Sequence, residues 1–177
     1  ADALLHRISE LHTPGERVRI MEVCGTHTVS IFREGLRQLL PSGIELVSGP
    51  GCPVCVTDQV YMDKALEYAK RDDVIIATFG DMLKVPGSYS SLSEAQTQGA
   101  HIHVIYTPLE VLELSKKYPD KYIVFLAIGF ETTIAVIGAT VKAVAQAGMK
   151  NVLFLVSHKL VPPALRALLD RQVGKID

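Results

Sequence analysis

Tyr122-Ile123-Val124-Phe125-Leu126-Ala127-Ile128-Gly129-Phe130-Glu131-Thr132-Thr133 decides the architecture. An unbroken run of apolar, largely β-branched and aromatic residues reads as a strand buried on both faces, the kind found in parallel sheets covered by helices. The apolar stretch continues to Ala139, but Glu131 sits at its centre, Gly129 and Gly138 break it, and it falls short of the ~20 residues of a spanning helix. It is therefore read as a buried strand from Tyr122 to Ile128 and a helix from Thr133 to Ala147, ended by Gly148.

Outward from this unit the pattern alternates. Arg17 to Val23, Ile44 to Ser48, Val74 to Phe79, His101 to Tyr106 and Val152 to Val156 read as strands. Thr28 to Leu40, Asp58 to Arg71, Pro108 to Lys117 and Pro162 to Leu169 read as helices, two of them opened by a proline at the first position. The stretch Gly87 to Gly99 is the most loop-like. The expectation is an α/β protein of two Rossmann-like lobes, each with a mostly parallel sheet and flanking helices. Their boundary is placed near Thr107-Pro108, giving a first lobe over 1–107 and an incomplete second lobe over 108–177.

Bulk properties exclude some functions. Eighteen basic residues against nineteen acidic ones give a net charge of −1, so electrostatics supplies no affinity for nucleic acid or an anionic membrane. Tryptophan is absent, which removes the best stacking platform for single strands. Three cysteines are an odd number for a secreted disulfide framework and fit reduced thiols of the cytoplasm. The start Ala1-Asp2-Ala3 shows no signal-peptide pattern.

The reactive residues follow the strands. Cys24-Gly25-Thr26-His27 follows the first, Gly49-Pro50-Gly51-Cys52-Pro53-Val54-Cys55 the second, Gly80-Asp81 the third, Gly129-Phe130-Glu131 the long apolar strand and Ser157-His158 the last. Sites in open α/β sheets form at the carboxyl ends of strands. Cys52 and Cys55 form a Cys-x-x-Cys pair before a helix whose start is signalled by Thr57 or Asp58, so helix N–H groups can favour a thiolate; the pair reads as a dithiol that cycles with a disulfide or binds metal. Cys24 alone would be read as core packing, but Gly25 opens space beside its sulfur and His27 can take a proton, bind metal or cap the turn. Glu131 serves equally as a cleft carboxylate or as the acidic first turn of a helix capped by Thr132 or Thr133. Asp81 reads as a turn residue, His101 and His103 as one face of a partly exposed strand, and His158 shares the ambiguity of His27. Two other functions remain open at this point: a thiol–disulfide oxidoreductase using Cys52 and Cys55, and a binding module stabilised by a Cys₃His zinc site of Cys24, His27, Cys52 and Cys55.

In this order, Cys24 to His27, Gly49 to Cys55 and Gly129 to Thr133 resemble the HypD family of hydrogenase-maturation proteins, as do Thr78-Phe79-Gly80-Asp81-Met82 and Ser157-His158-Lys159. The resemblance runs from about Val18 onward. It implies α/β lobes around a cleft and assembly of the Fe(CN)2CO moiety of [NiFe]-hydrogenases with a HypC-type chaperone and a HypE-type cyanide donor. It implies that Cys24, in a binding turn with Gly25 and Thr26, holds the transient iron together with a partner's cysteine. Cys52 and Cys55 would be the redox dithiol, with His27 and Glu131 lining the site. Soft thiolates suit such iron, and a dithiol is a source of electrons. The family also carries a [4Fe–4S] cluster on a cysteine-rich C-terminal region; no such cluster is expected in this chain. No Walker-type phosphate loop is present, so any ATP chemistry is expected on a partner.

Overall fold

The computed structural model describes residues 2–52, 54 and 56–170. In chain order the elements are α1 (Asp2–Leu11), β1 (Val18–Glu22), α2 (Gly25–Arg33), α3 (Leu36–Leu39), β2 (Ile44–Ser48), α4 (Gln59–Ala69), β3 (Val74–Thr78), α5 (Leu92–Thr97), β4 (Ile102–Val104), α6 (Glu110–Lys117), β5 (Tyr122–Gly129), α7 (Glu131–Gln146), β6 (Val152–His158) and α8 (Val161–Asp170). A short 3₁₀ turn, Gly80–Lys84, follows β3. They fall into two compact units, Ala1–Cys52 with Leu160–Asp177, and Pro53–Lys159.

The second unit is built on β5. Its strands lie in the order β4-β3-β5-β6, all parallel, with Ile76 between Ile102 and Val124, and Ile123 opposite Val152. Ile123 to Ile128 are all buried, so neither face of the strand tolerates a polar side chain. On one face Val124, Leu126 and Ile128 pack with Tyr61, Met62, Ala65 and Leu66 of α4 and Leu92 of α5. On the other Ile123, Phe125 and Ala127 pack with Val111 and Leu114 of α6 and Ile137 and Val144 of α7. Phe125 makes edge-to-face contacts with Phe79 at 5.7 Å and Phe154 at 6.0 Å. The chain passes from β4 back across β3 to reach β5. The carboxyl ends of β3 and β5 therefore form a topological switch point, where such sheets bind ligands.

The first unit holds a two-stranded parallel sheet, β1-β2, in register from Val18↔Ile44 to Glu22↔Ser48, with α1, α2, α3 and α8. None of its described residues is fully buried; a sheet of two strands has little interior to offer.

The α/β class and the parallel sheets agree with the sequence reading, and the apolar run from Ile123 is β5 followed by the first part of α7. Among the described residues no helix is long and apolar enough to cross a membrane. Three details differ. The helix expected over Thr28 to Leu40 is two, broken where Gly35 takes a left-handed φ of 62°. The stretch Gly87 to Gly99 contains α5, whose start is a capping box: Ser91 accepts from the Glu94 N–H and Glu94 from the Ser91 N–H, the Ser-x-x-Glu signature of a helix start. The division near Thr107-Pro108 falls between β4 and α6, whose strands share one sheet with β3 and β5; the contacts divide the chain after Cys52 and before Leu160 instead.

Phe125→Ala removes the largest fully buried side chain among the described residues and is expected to cost ~3–5 kcal/mol, against about 0.5–1.5 kcal/mol for Ile123→Val. Urea unfolding followed for both variants, with unchanged slope, measures the difference; equal losses would contradict the packing around Phe125.

Candidate functional site

In the first unit both cysteine-bearing turns leave the carboxyl ends of adjacent strands. β1 ends at Glu22, and two residues later Cys24 takes φ 102°, ψ 123° and becomes the N-cap of α2. It is the one non-glycine residue with positive φ among those described, a conformation that costs of order 1–3 kcal/mol and persists only where the surroundings impose it. The Cys24 carbonyl accepts the N–H of His27 at 3.0 Å and of Thr28 at 3.4 Å. The sulfur makes no cap hydrogen bond to the helix, but the nearby donors, the Thr26 hydroxyl foremost, then the Thr26 N–H and the His27 N–H, hold the thiol below its ordinary pKa against an opposing effect of burial. The thiol thus sits at the start of a helix, where N–H groups favour a thiolate.

The other turn is locked to the first. The Gly49 N–H donates to the Glu22 carbonyl at 2.8 Å. Gly51 packs so tightly on the Cys24 turn that a Cβ there would overlap the Cys24 nitrogen and lie 2.6 Å from its Cα. Only glycine permits that approach, and it brings the loop leading to Cys52 against Cys24. Both cysteines are free thiols and half-buried. Around the sulfur of Cys24 the structure is open: a Cβ on Gly25 would meet nothing within 4 Å, and Thr26 and His27 are exposed. His27 Nδ1 lies 3.0 Å from the Val23 carbonyl. A carbonyl only accepts, so Nδ1 carries the proton and Nε2 presents the lone pair in the neutral ring.

The first unit therefore brings together Cys24, Gly25, Thr26, His27 and the Cys52 loop. Cys55 lies outside the described residues. The helix after it, α4, starts at Gln59, and Asp58 caps it by accepting the Val60 N–H at 2.8 Å. Among the described residues no group of three or more His, Cys, Asp or Glu is arranged to hold a metal ion.

Glu131 belongs to the second unit and opens α7, exposed at its first turn, where a carboxylate meets the positive end of the helix dipole. The cap position is Phe130 rather than Thr132 or Thr133; Thr133 donates its hydroxyl back to the Phe130 carbonyl at 2.9 Å. A Cβ on Gly129 would overlap Thr133 Oγ1, so the turn between β5 and α7 closes only over a glycine. His158 pairs with Gly129 across the sheet; its Nε2 is buried without a hydrogen-bond partner among the described residues, and burial lowers its pKa. Asp81 is an exposed residue of the 3₁₀ turn at the β3 end. His101 and His103 are both exposed along the edge strand β4.

The residue that sequence reasoning missed is Glu22. Its side chain is 8% exposed. It accepts from Ser48 Oγ at 2.9 Å and from Thr28 Oγ1 at 3.3 Å. The available signal was an acidic residue ending a strand two positions before a cysteine.

Comparison with known proteins matches this arrangement to one family. The model of the HypD family, described as the hydrogenase formation hypA family, covers residues 1–177. The chain is 44% identical over 165 residues to the hydrogenase maturation factor HypD of Rhodobacter capsulatus, covering 93% of this chain and 44% of that protein. It is 41% identical over 175 residues to HypD of Escherichia coli K12, covering 98% and 47%, and 43% identical over 170 residues to HypD of Azotobacter vinelandii, covering 96% and 45%. The chain spans a little under half the length of these relatives. With the family's model matched from the first residue to the last, the chain belongs to the HypD family.

Proposed function

We propose that this chain forms the thiol centre of a hydrogenase-maturation factor, a scaffold on which the Fe(CN)2CO moiety of [NiFe]-hydrogenases is assembled. The observation that carries this reading is Cys24: a half-buried sulfur at the start of α2, held in a strained backbone conformation and surrounded by the donors of Thr26 and His27. Those donors favour the thiolate, the form that binds a soft, cyanide-bearing ferrous cargo. Gly25 leaves the approach to the sulfur open, and the His27 Nε2 lone pair is available to accept a proton or a hydrogen bond from a ligand.

Cys24 holds the iron jointly with a thiolate from a HypC-type chaperone, and a HypE-type partner donates cyanide. Cys52 and Cys55 act as the redox dithiol, which on closing to a disulfide releases two electrons and two protons for assembly. The close approach of Gly51 to Cys24 supports their sharing one centre. Glu131, at the carboxyl end of β5 in the second unit, is the carboxylate that the resemblance assigns to the chemistry. The chemistry takes place in the cytoplasm, where thiols stay reduced. Family membership supports the maturation role.

Iron retention, read by native mass spectrometry without oxygen and in the presence of the HypC-type partner, tests the assignment. Cys24→Ala is expected to lose the iron, while Cys52→Ala keeps partner docking; iron retained at undiminished occupancy in Cys24→Ala rejects it. A second expectation follows from the sign of the Cys24 shift. The folded-state pKa is lowered, so the thiolate forms at a pH below that of a free cysteine. The linked stability is present above the unfolded pKa and lost as pH falls through the folded one. Thr26→Val removes the leading donor and should move the titration midpoint of Cys24 upward, followed by thiolate ultraviolet absorbance in a Cys52→Ser, Cys55→Ser background; an unmoved midpoint contradicts the role of Thr26.

A further inference from the structure

We propose that Glu22 is a positioning residue that holds the Cys24 turn and the Cys52 loop in one register, so that the two thiols act as a single centre. The inference rests on the reading that Cys24 and Cys52 work together.

Glu22 occupies the last rung of the β1-β2 ladder, opposite Ser48. Beyond that rung each strand runs into its cysteine turn. Glu22 binds both. Its Oε1 accepts from Ser48 Oγ, which begins the path to Cys52, and from Thr28 Oγ1, in the first turn of the helix that Cys24 caps. Thr28 Oγ1 also lies 3.5 Å from Ser48 Oγ, closing a triangle of polar atoms. The Glu22 carbonyl takes the Gly49 N–H. Glu22 thus joins these two turns through both its side chain and its main chain, beside the Thr28–Ser48 contact and the packing of Gly51 on Cys24.

The choice of a carboxylate is costly. The side chain is 8% exposed, and its cationic neighbour, Arg37 Nη2, stands 3.8 Å away. Oε2 is buried with no hydrogen-bond partner among the described residues. A buried charge compensated this weakly disfavours folding relative to an apolar residue. An apolar residue, however, accepts nothing, and would leave the Ser48 and Thr28 hydroxyls without their shared acceptor. Two acceptor directions at one oxygen are what the register of two turns requires.

Hydrogen exchange of three amides reads the coupling: His27 and Thr28, bonded to the Cys24 carbonyl, and Gly49, bonded to the Glu22 carbonyl. Ser48→Ala removes the bond to Glu22 and the longer contact with Thr28, and should speed exchange about tenfold at Gly49 and at His27 and Thr28 as well. Glu22→Ala should open all three amides at least as far. Glu22→Gln, which keeps an acceptor oxygen in place, should rescue protection to within about twofold of the parent. The amides of β3 and β5 report that the second unit is unaffected. If Glu22→Ala does not fold, Ser48→Ala and Glu22→Gln decide alone. Opening of Gly49 without His27 and Thr28 in Ser48→Ala overturns the proposal, as does a Glu22→Gln variant as exposed as Ser48→Ala. No iron enters this measurement, so coupled opening alongside iron retention in Cys24→Ala would reject the iron site and leave the positioning role standing.

Discussion

A strand buried on both faces has room for chemistry only at its ends. β5 is such a strand: from Ile123 to Ile128 every side chain is packed under α4 and α5 on one face or α6 and α7 on the other. The burial runs on through Gly129 and Phe130, and the first exposed residue is the polar Glu131. The order of the sheet follows from the same constraint. Helices must cover both faces, so the chain reverses direction across β3, and the reversal opens the switch point beside the ends of β3 and β5.

The first unit has no comparable interior, and it reaches order by different means. Its two strands contribute a short ladder, and what fixes the turns beyond it is hydrogen bonding and close backbone contact: Gly49 to Glu22, Ser48 and Thr28 to the Glu22 carboxylate, Gly51 on Cys24. The positive φ of Cys24 belongs to this picture. That conformation sets the sulfur at the start of α2, near the Thr26 and His27 donors that lower its pKa, and the strain it stores is balanced by the contacts that impose it. The lowered pKa of the Cys24 thiol and its strained backbone belong to one turn.

Much of this was legible in the sequence because the signals are local. Apolar runs of strand length gave β2 its bounds and the other strands theirs within a few residues, and in β5 burial on both faces excludes polar side chains residue by residue. Cys24, Gly25, Thr26 and His27 stood out because a reactive side chain next to glycine after a strand has few structural reasons to exist. The capping box of α5 was equally local, Ser91 and Glu94, and its stretch was read as a loop because its serines and glycines outweighed that signal. Gly35 marked the break between α2 and α3 in the same way.

Other features depend on which strands become neighbours, and no local pattern carries that. The shared sheet of β3, β4, β5 and β6 runs across the proline that looked like a boundary. Glu22 reads as an ordinary strand-end residue until β2 lies beside β1 and Ser48 stands opposite it. The overlap that forbids a side chain at Gly51 exists only because the Cys24 turn is folded against it. The sequence by itself determined the alternation of elements, the family and the candidates for the site, because all of these are read from residue types and spacing along the chain. Only the tertiary structure decided which turn meets which and what holds the thiol turns in register, because those depend on contacts between residues far apart in sequence.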